Sequence, residues 1–306
     1  MPRRTPTKRR SGKPDPAGVS GAGQRLQKFM ATAGVDSRRN CEAYIRDGRV
    51  TVNNDIAVNP GHLVQPDSDV VLLDGERLRL PKLKYYLLNK PKGVLCTNRD
   101  PSGRPRAIDL VPGDAERLFT VGRLDENTQG LLLLTNDGDL AEHLAHPRYE
   151  VVRRYRAQVV GVPTQETIAQ LRRGMRFSEG YFRFRDVRFV KRKGHSAFLE
   201  IELREGKNRE VRRMLARTGH KVIQLDRVAF GPLKIGDLKS GQCRELRAAE
   251  VRDLREFIAQ GPEDRSADRQ SGRRPVNRRK SSARVGEKSA TPEKRVSVQR
   301  RSRTKR

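Results

Sequence analysis

Residues 119–138, FTVGRLDENTQGLLLLTNDG, hold the side chains whose types and spacing best suit chemistry. Arg123 and Asp125 are two apart, so in an extended chain they share one side while Leu124 points to the other. A cation and a carboxylate on one surface suit either a plain ion pair or an active site. Their support follows directly: residues 131–134 are all leucine, bounded by the turn chemistry of Thr135, Asn136, Asp137 and Gly138. That order predicts loop, strand buried on both faces, and tight turn, although a short buried helix shares the periodicity.

The composition restricts the partners. The 306 residues carry 66 Lys plus Arg against 37 Asp plus Glu, a net charge of +29. Such a surplus repels itself unless a polyanion neutralises it, so nucleic acid is the first expectation and an anionic membrane surface the second. No apolar run approaches the roughly 18 residues of a membrane span, and the basic start lacks the apolar segment of a secretory signal. A cytoplasmic protein is expected. Cys41, Cys96 and Cys243 are far apart and not clustered with the histidines, so neither a zinc site nor a disulfide framework is expected.

The elements that must position these residues fall into two groups. From Gln24, Leu26, Phe29, Met30 and Ala33 lie at helical spacing and end at Gly34. A second helix from near Ser37 carries Cys41, Tyr44 and Ile45 inward and stops at Gly48, and residues 49–58 read as a hairpin. Arg25, Lys28, Arg38, Arg39, Arg46 and Arg49 form an outer face able to track a phosphate backbone, or simply a solvated charged surface. Residues 70–73 add one strand.

The second group opens with a strand at 85–88 and the bend Asn89-Lys90-Pro91-Lys92-Gly93, which is either a phosphate contact or a tight strand-to-strand turn. Residues 97–117 read as a long surface loop leading to Asp125. Asp139 starts a short helix to Ala145, and residues 151–160 alternate as a strand. Tyr155 in that strand either stacks on a base or sits half-buried in a core. Pro163 opens a helix through Ile168 and Leu171, and strands follow at 182–193 and 198–203. Val211, Met214 and Leu215 then lie on a helix ended by Gly219, and residues 222–225 return as a strand. Lys207 and Arg209 crowd the amino end of that helix, where basic side chains oppose the dipole. A phosphate or carboxylate between them would explain the placement, and a solvated basic face is the alternative.

Several of these segments, in this order, resemble the RsuA/RluB group of pseudouridine synthases, which modify ribosomal RNA. They are the Asn89–Gly93 bend, Gly122-Arg123-Leu124-Asp125, His146-Pro147-Arg148-Tyr149, Tyr155, and EGKNREVRRM at 205–214. The likeness covers roughly residues 20–250. Within it, Arg25-Leu26-Gln27-Lys28-Phe29-Met30-Ala31 and IRDGRVTVN at 45–53 resemble an S4 RNA-binding domain. The resemblance implies an α+β protein. A small S4 helix-helix-hairpin domain spans 23–82 and a mixed, mainly antiparallel catalytic domain spans 83–258, between disordered basic segments at 1–22 and 259–306.

It also implies a reaction. The N1–C1′ bond of a uridine breaks, the uracil turns, and its C5 joins C1′, with no metal and no cofactor. Asp125 is then the catalytic carboxylate, and whether it attacks C1′ or takes the 2′ proton stays open. Arg212 pairs with Asp125 and holds it in place. Tyr155 stacks on the uracil, Leu225 packs on the pocket's other side, and Arg123 fills the gap left by the flipped nucleotide. Arg153, Lys207, Asn208 and Arg209 complete the substrate contacts. Arg153 stands where the family usually has lysine, which keeps the charge but not the shape. The KNREVRR match and basic tail favour large-subunit over small-subunit RNA, in naked form or as a pre-ribosomal particle. A monomer is implied. A non-catalytic S4-type assembly factor and a nucleic-acid compaction protein remain as alternatives, whereas a glycoside hydrolase normally needs a pair of carboxylates.

Overall fold

The computed structural model describes residues 23–113 and 117–261. The disorder expected of both termini falls outside these residues, except that Ala259, assigned above to the tail, closes the helix Ala248–Ala259.

The amino-terminal part follows its local signals closely. Helices Leu26–Thr32 and Arg38–Arg46 bury Leu26, Phe29, Met30, Cys41 and Ile45 against Val50, Val52 and Val71. The Ser37 hydroxyl accepts from the Asn40 amide at 3.2 Å and caps the second helix. Val50–Val52 pairs with Asp55–Ile56 as the expected hairpin, and with Val71–Leu73 on its other edge. The first helix starts at Leu26, where its apolar spacing begins, and Gln24–Arg25 just ahead of it pair with Leu63–Val64. Among the described residues, Lys28 pairs with the Asp139 carboxylate and the Arg117 guanidinium donates to the Val35 carbonyl, tying this part to the sheet domain.

The remainder is built on one nine-stranded sheet. Its main path runs Asp186–Lys193, Ser196–Leu203, Arg153–Val160, Val222–Phe230, Gln129–Thr135, Tyr85–Lys90, Cys243–Glu245. Every pairing is antiparallel except that of Gln129–Thr135 with Val222–Phe230, which is parallel over Gln129↔Asp226 and Gly130↔Arg227. The leucine run is a strand covered on both faces, and it divides its side chains by period two. Leu132 and Leu134 enter the core that holds Tyr155, Val211 and Leu225. Leu131 and Leu133 enter a second core with Leu140, Leu144 and Leu254. All four are fully buried, each stabilising the fold by roughly 2 kcal/mol relative to exposure.

Several local boundaries differ from expectation. Asp137, not Asp139, caps the helix Gly138–Ala145, accepting from the Leu140 amide at 3.0 Å; the Asp139 carboxylate instead pairs with Lys28. Thr164 rather than Pro163 caps the helix Gln165–Arg173. Residues 182–193 are not one strand: Gly180–Phe182 pairs with Met175–Phe177, Phe184 turns into the core, and the next strand begins at Asp186. Residues 97–113 are more than a surface loop, since a 3-10 turn at Ala107–Leu110 buries Ala107 in the core that also holds Leu124, while 114–116 lie outside the described residues.

Candidate active site

The chain between Phe119–Thr120 and Gln129–Thr135 forms a tight turn in which the Thr128 amide donates to the Asp125 carbonyl at 3.0 Å. Leu124 is buried in the core while Arg123 is exposed and Asp125 half-exposed, the alternation expected of an extended approach. Two cations hold the turn by its backbone carbonyls. The Lys90 ammonium, itself fully buried, donates to the carbonyls of Pro91 at 2.9 Å and Glu126 at 3.2 Å. The Gly93 amide adds a bond to the same Glu126 carbonyl at 3.0 Å. Arg212, in the first turn of the helix Glu210–Arg217, donates to the Asn127 carbonyl at 2.8 Å and contacts the Thr128 hydroxyl at 3.4 Å. The Asn89–Gly93 bend is therefore a structural turn that braces the Asp125 loop.

Asp125 lines a cavity of about 860 Å³. Tyr155, Leu225, Arg153 and Arg227 line it as well, with Arg99, Arg104 and Arg123 exposed at its rim. The parallel pairing of Gly130 with Arg227 brings the start of the leucine strand beside the strand carrying Leu225. This approach demands glycine. Gly130 sits at φ +109, and a Cβ there would lie 2.4 Å from the Arg227 carbonyl oxygen.

Ionic contacts differ from the expected pairing. Arg212 makes no ion pair with Asp125; its Nη2 goes instead to Asn127 and Thr128 of the same turn, and its Nε is buried without a partner. The ion pair to Asp125 is made by Arg209 Nη1 at 3.8 Å, from a residue that starts the helix in a left-handed conformation, φ 47 and ψ 31. Both side chains are more than a third exposed on one side of the pair, so the contact is solvent-screened. Burial, then the charge of Arg209, lowers the Arg212 pKa, and burial lowers that of Lys90.

Arg153 is buried and donates to the carbonyls of Val151 at 3.3 Å, Arg204 at 2.9 Å and Ala145 at 3.1 Å. Lys207 bonds the Tyr181 carbonyl at 2.7 Å and pairs with Glu205 at 2.8 Å, while Asn208 lines the cavity. Lys90, Gly130, Arg227 and the buried Glu210 were not singled out as site residues by sequence reading. Lys90 lay within the marked bend, but nothing local signals that a lysine or arginine is buried. Burial raises the Glu210 pKa, and its Oε2 accepts from the Lys207 amide at 3.2 Å.

In the amino-terminal part, Arg38 and Arg39 are exposed and make no ion pair among the described residues, and Arg25 is likewise exposed. Arg46 pairs with Glu42 at 3.1 Å, and Arg49 with Asp74 at 2.5 Å. Lys28 is taken up by Asp139. Among the described residues no helix is long and apolar enough to cross a membrane.

Comparison with known proteins agrees with this architecture. Residues 84–217 match the family described as RNA pseudouridylate synthase, and residues 24–71 match the S4 domain. An RNA pseudouridine synthase of Aquifex aeolicus is 41% identical over 231 residues, covering 75% of this chain and 93% of that one. Ribosomal large subunit pseudouridine synthase B of Bacillus subtilis is 38% identical over 240 residues, covering 78% and 98% respectively. A crystal structure of a pseudouridylate synthase superposes with a TM-score of 0.53 at 26% identity, covering 75% of this chain and 99% of that chain. With this sheet, this cavity and these relatives, the chain belongs to the RNA pseudouridine synthase family and carries an S4 domain ahead of its catalytic fold.

Proposed function

We propose that this enzyme isomerises a specific uridine of large-subunit ribosomal RNA to pseudouridine, with Asp125 as the catalytic carboxylate. The observation that carries this reading is the position of Asp125 on the wall of a cavity also lined by Tyr155 and Leu225. Its support includes relatives named for the large subunit, such as the Bacillus subtilis protein and one of Vibrio cholerae, 41% identical over 250 residues.

In this reading the uracil lies between Tyr155 and Leu225, and its C1′ meets the Asp125 carboxylate. Lys90 and Arg212 act on Asp125 indirectly, by fixing the turn that carries it, and Arg209 supplies the nearest positive charge. Arg123, which makes no side-chain hydrogen bond or ion pair among the described residues, replaces the flipped nucleotide in its stack. Arg153 shapes the wall through its three carbonyl bonds, and Lys207 and Asn208 contact the substrate strand. The S4 domain, residues 23–82, tracks the RNA backbone with Arg25, Arg38, Arg39, Arg46 and Arg49. Lys28 joins them once RNA phosphate displaces Asp139. The catalytic domain runs from 83 to about 259, and the enzyme acts as a cytoplasmic monomer.

The test is a pseudouridine map of unmodified ribosomal RNA transcripts after incubation with wild type and with Asp125→Ala. One new site on large-subunit RNA, present with wild type and absent with the variant, is expected. A site on small-subunit RNA alone would overturn the substrate assignment, and a site made equally by the variant would overturn the role of Asp125.

A further inference from the structure

The cavity contains a donor that the reaction described so far does not use. Arg227 is 1% exposed yet lines the cavity. Its guanidinium is fixed on two sides: Nε donates to the Leu131 carbonyl at 2.7 Å, and the plane lies over the Phe230 ring, 5.1 Å from its centroid. Its backbone is pressed against Gly130. Held this firmly, its Nη2 still has no hydrogen-bond partner. No carboxylate pairs with it among the described residues; the neighbouring charge is another buried arginine, Arg153, over the same ring at 5.3 Å. A buried, unpartnered charged donor is rare enough in a folded protein to need a cause. Here the cause that fits is a ligand acceptor.

We propose that Arg227 reads a carbonyl oxygen of the substrate uracil; this rests on the pseudouridine reading above and deepens it. Depth selects the base over the backbone. A flipped nucleotide keeps its phosphates at the surface, near exposed Arg99, Arg104 and Arg123, and only the base reaches a wall residue as buried as Arg227. Position selects the face of the site. Arg227 is the cross-strand partner of Tyr155 and stands two residues beyond Leu225, the two side chains that enclose the ring in this reading.

Uracil chemistry then selects the atom. C4 lies across the ring from N1, so O4 is the acceptor farthest from the ribose and the first to reach the back of the cavity. Turning the freed ring about its N3–C6 axis exchanges N1 with C5 and O4 with O2. One fixed donor therefore meets O4 in the substrate and O2 in the product, so the turn ends with the same bond restored. Cytosine places an amine where O4 would be, and donor would then face donor. Arg227 is in this sense a specificity-determining contact.

The experiment measures single-turnover rates of wild type and Arg227→Met on ribosomal RNA transcripts containing uridine or 4-thiouridine, with RNA affinity measured alongside. Sulfur is the weaker acceptor, so wild type should slow on 4-thiouridine. Arg227→Met should lose about 10- to 100-fold in rate on uridine, the worth of a hydrogen bond to a charged group, at nearly unchanged RNA affinity. On 4-thiouridine the variant should lose nothing further, because the contact is already gone. Losses that multiply instead would make Arg227 a structural residue only and overturn the inference. Should Arg227→Met fail to fold, wild type alone decides, since equal rates on uridine and 4-thiouridine would also overturn it. A wild type inactive on uridine RNA would be a different failure, that of the pseudouridine reading itself.

Discussion

In the S4 domain Arg38 and Arg39 stand exposed without ion pairs among the described residues, and Arg46 and Arg49 meet carboxylates at the surface. In the cavity Arg153, Arg212 and Arg227 each give at least one donor to a backbone carbonyl and are wholly or partly buried. The same residue type thus does two kinds of work. An exposed guanidinium acts through charge, at a range set by salt and with little fixed geometry. A buried one, held at one end by a carbonyl, fixes where a loop or a remaining donor points. Substitutions should therefore damage affinity in the first region and rate or folding in the second.

The largest effect tests the cavity directly. Asp125→Ala should lower the rate of pseudouridine formation by about 10⁴-fold or more, the scale seen when a reacting group is removed, while RNA affinity measured by filter binding stays close to wild type. Loss of affinity in proportion to rate would erase the contrast between the regions.

Next comes the architecture beneath the cavity. Gly130→Ala forces a Cβ to within 2.4 Å of the Arg227 carbonyl oxygen at φ +109, so it should cost about 3 kcal/mol or more of stability in denaturant unfolding. A variant that melts like wild type would show that the parallel pairing of Gly130 with Arg227 yields easily.

A smaller effect belongs to the S4 surface. Arg38→Ala with Arg39→Ala should weaken RNA binding several-fold and reduce the slope of log affinity against log salt by about 1 to 2, with the single-turnover rate at saturation unchanged. A rate loss at saturation would mean that this surface also positions the target.

The smallest concerns an arginine outside both regions. Arg244 hydrogen-bonds the Glu250 carboxylate at 2.7 Å and holds its pKa down to about 2, against an ordinary 4.5. A carboxyl whose folded pKa is depressed contributes stability that is fully present above the ordinary value and is lost as pH falls through the folded one. Glu250→Gln should thus cost about 1 kcal/mol or less near neutral pH, allowing for partial exposure. Its melting curve should converge on wild type as pH falls from 4.5 towards 2, and a difference that persists there would refute the pair's role.

What could be read without coordinates was whatever neighbours in sequence decide. The four leucines, the helix start near Ser37, the glycine stops of the first helices and the hairpin at 50–56 depend on residues within one turn or one strand of each other. The family motifs are likewise contiguous, which is why Asp125 and Tyr155 stood out. The tertiary structure decided which cation meets which acceptor. Arg212 reaches the carbonyl of Asn127 across 85 residues of sequence, and Arg227 that of Leu131 across 96. These choices follow from strand order and from one parallel pairing, and they leave no mark in local periodicity. Burial then converts long-range placement into chemistry, because a guanidinium removed from water must find oxygen wherever the fold presents it.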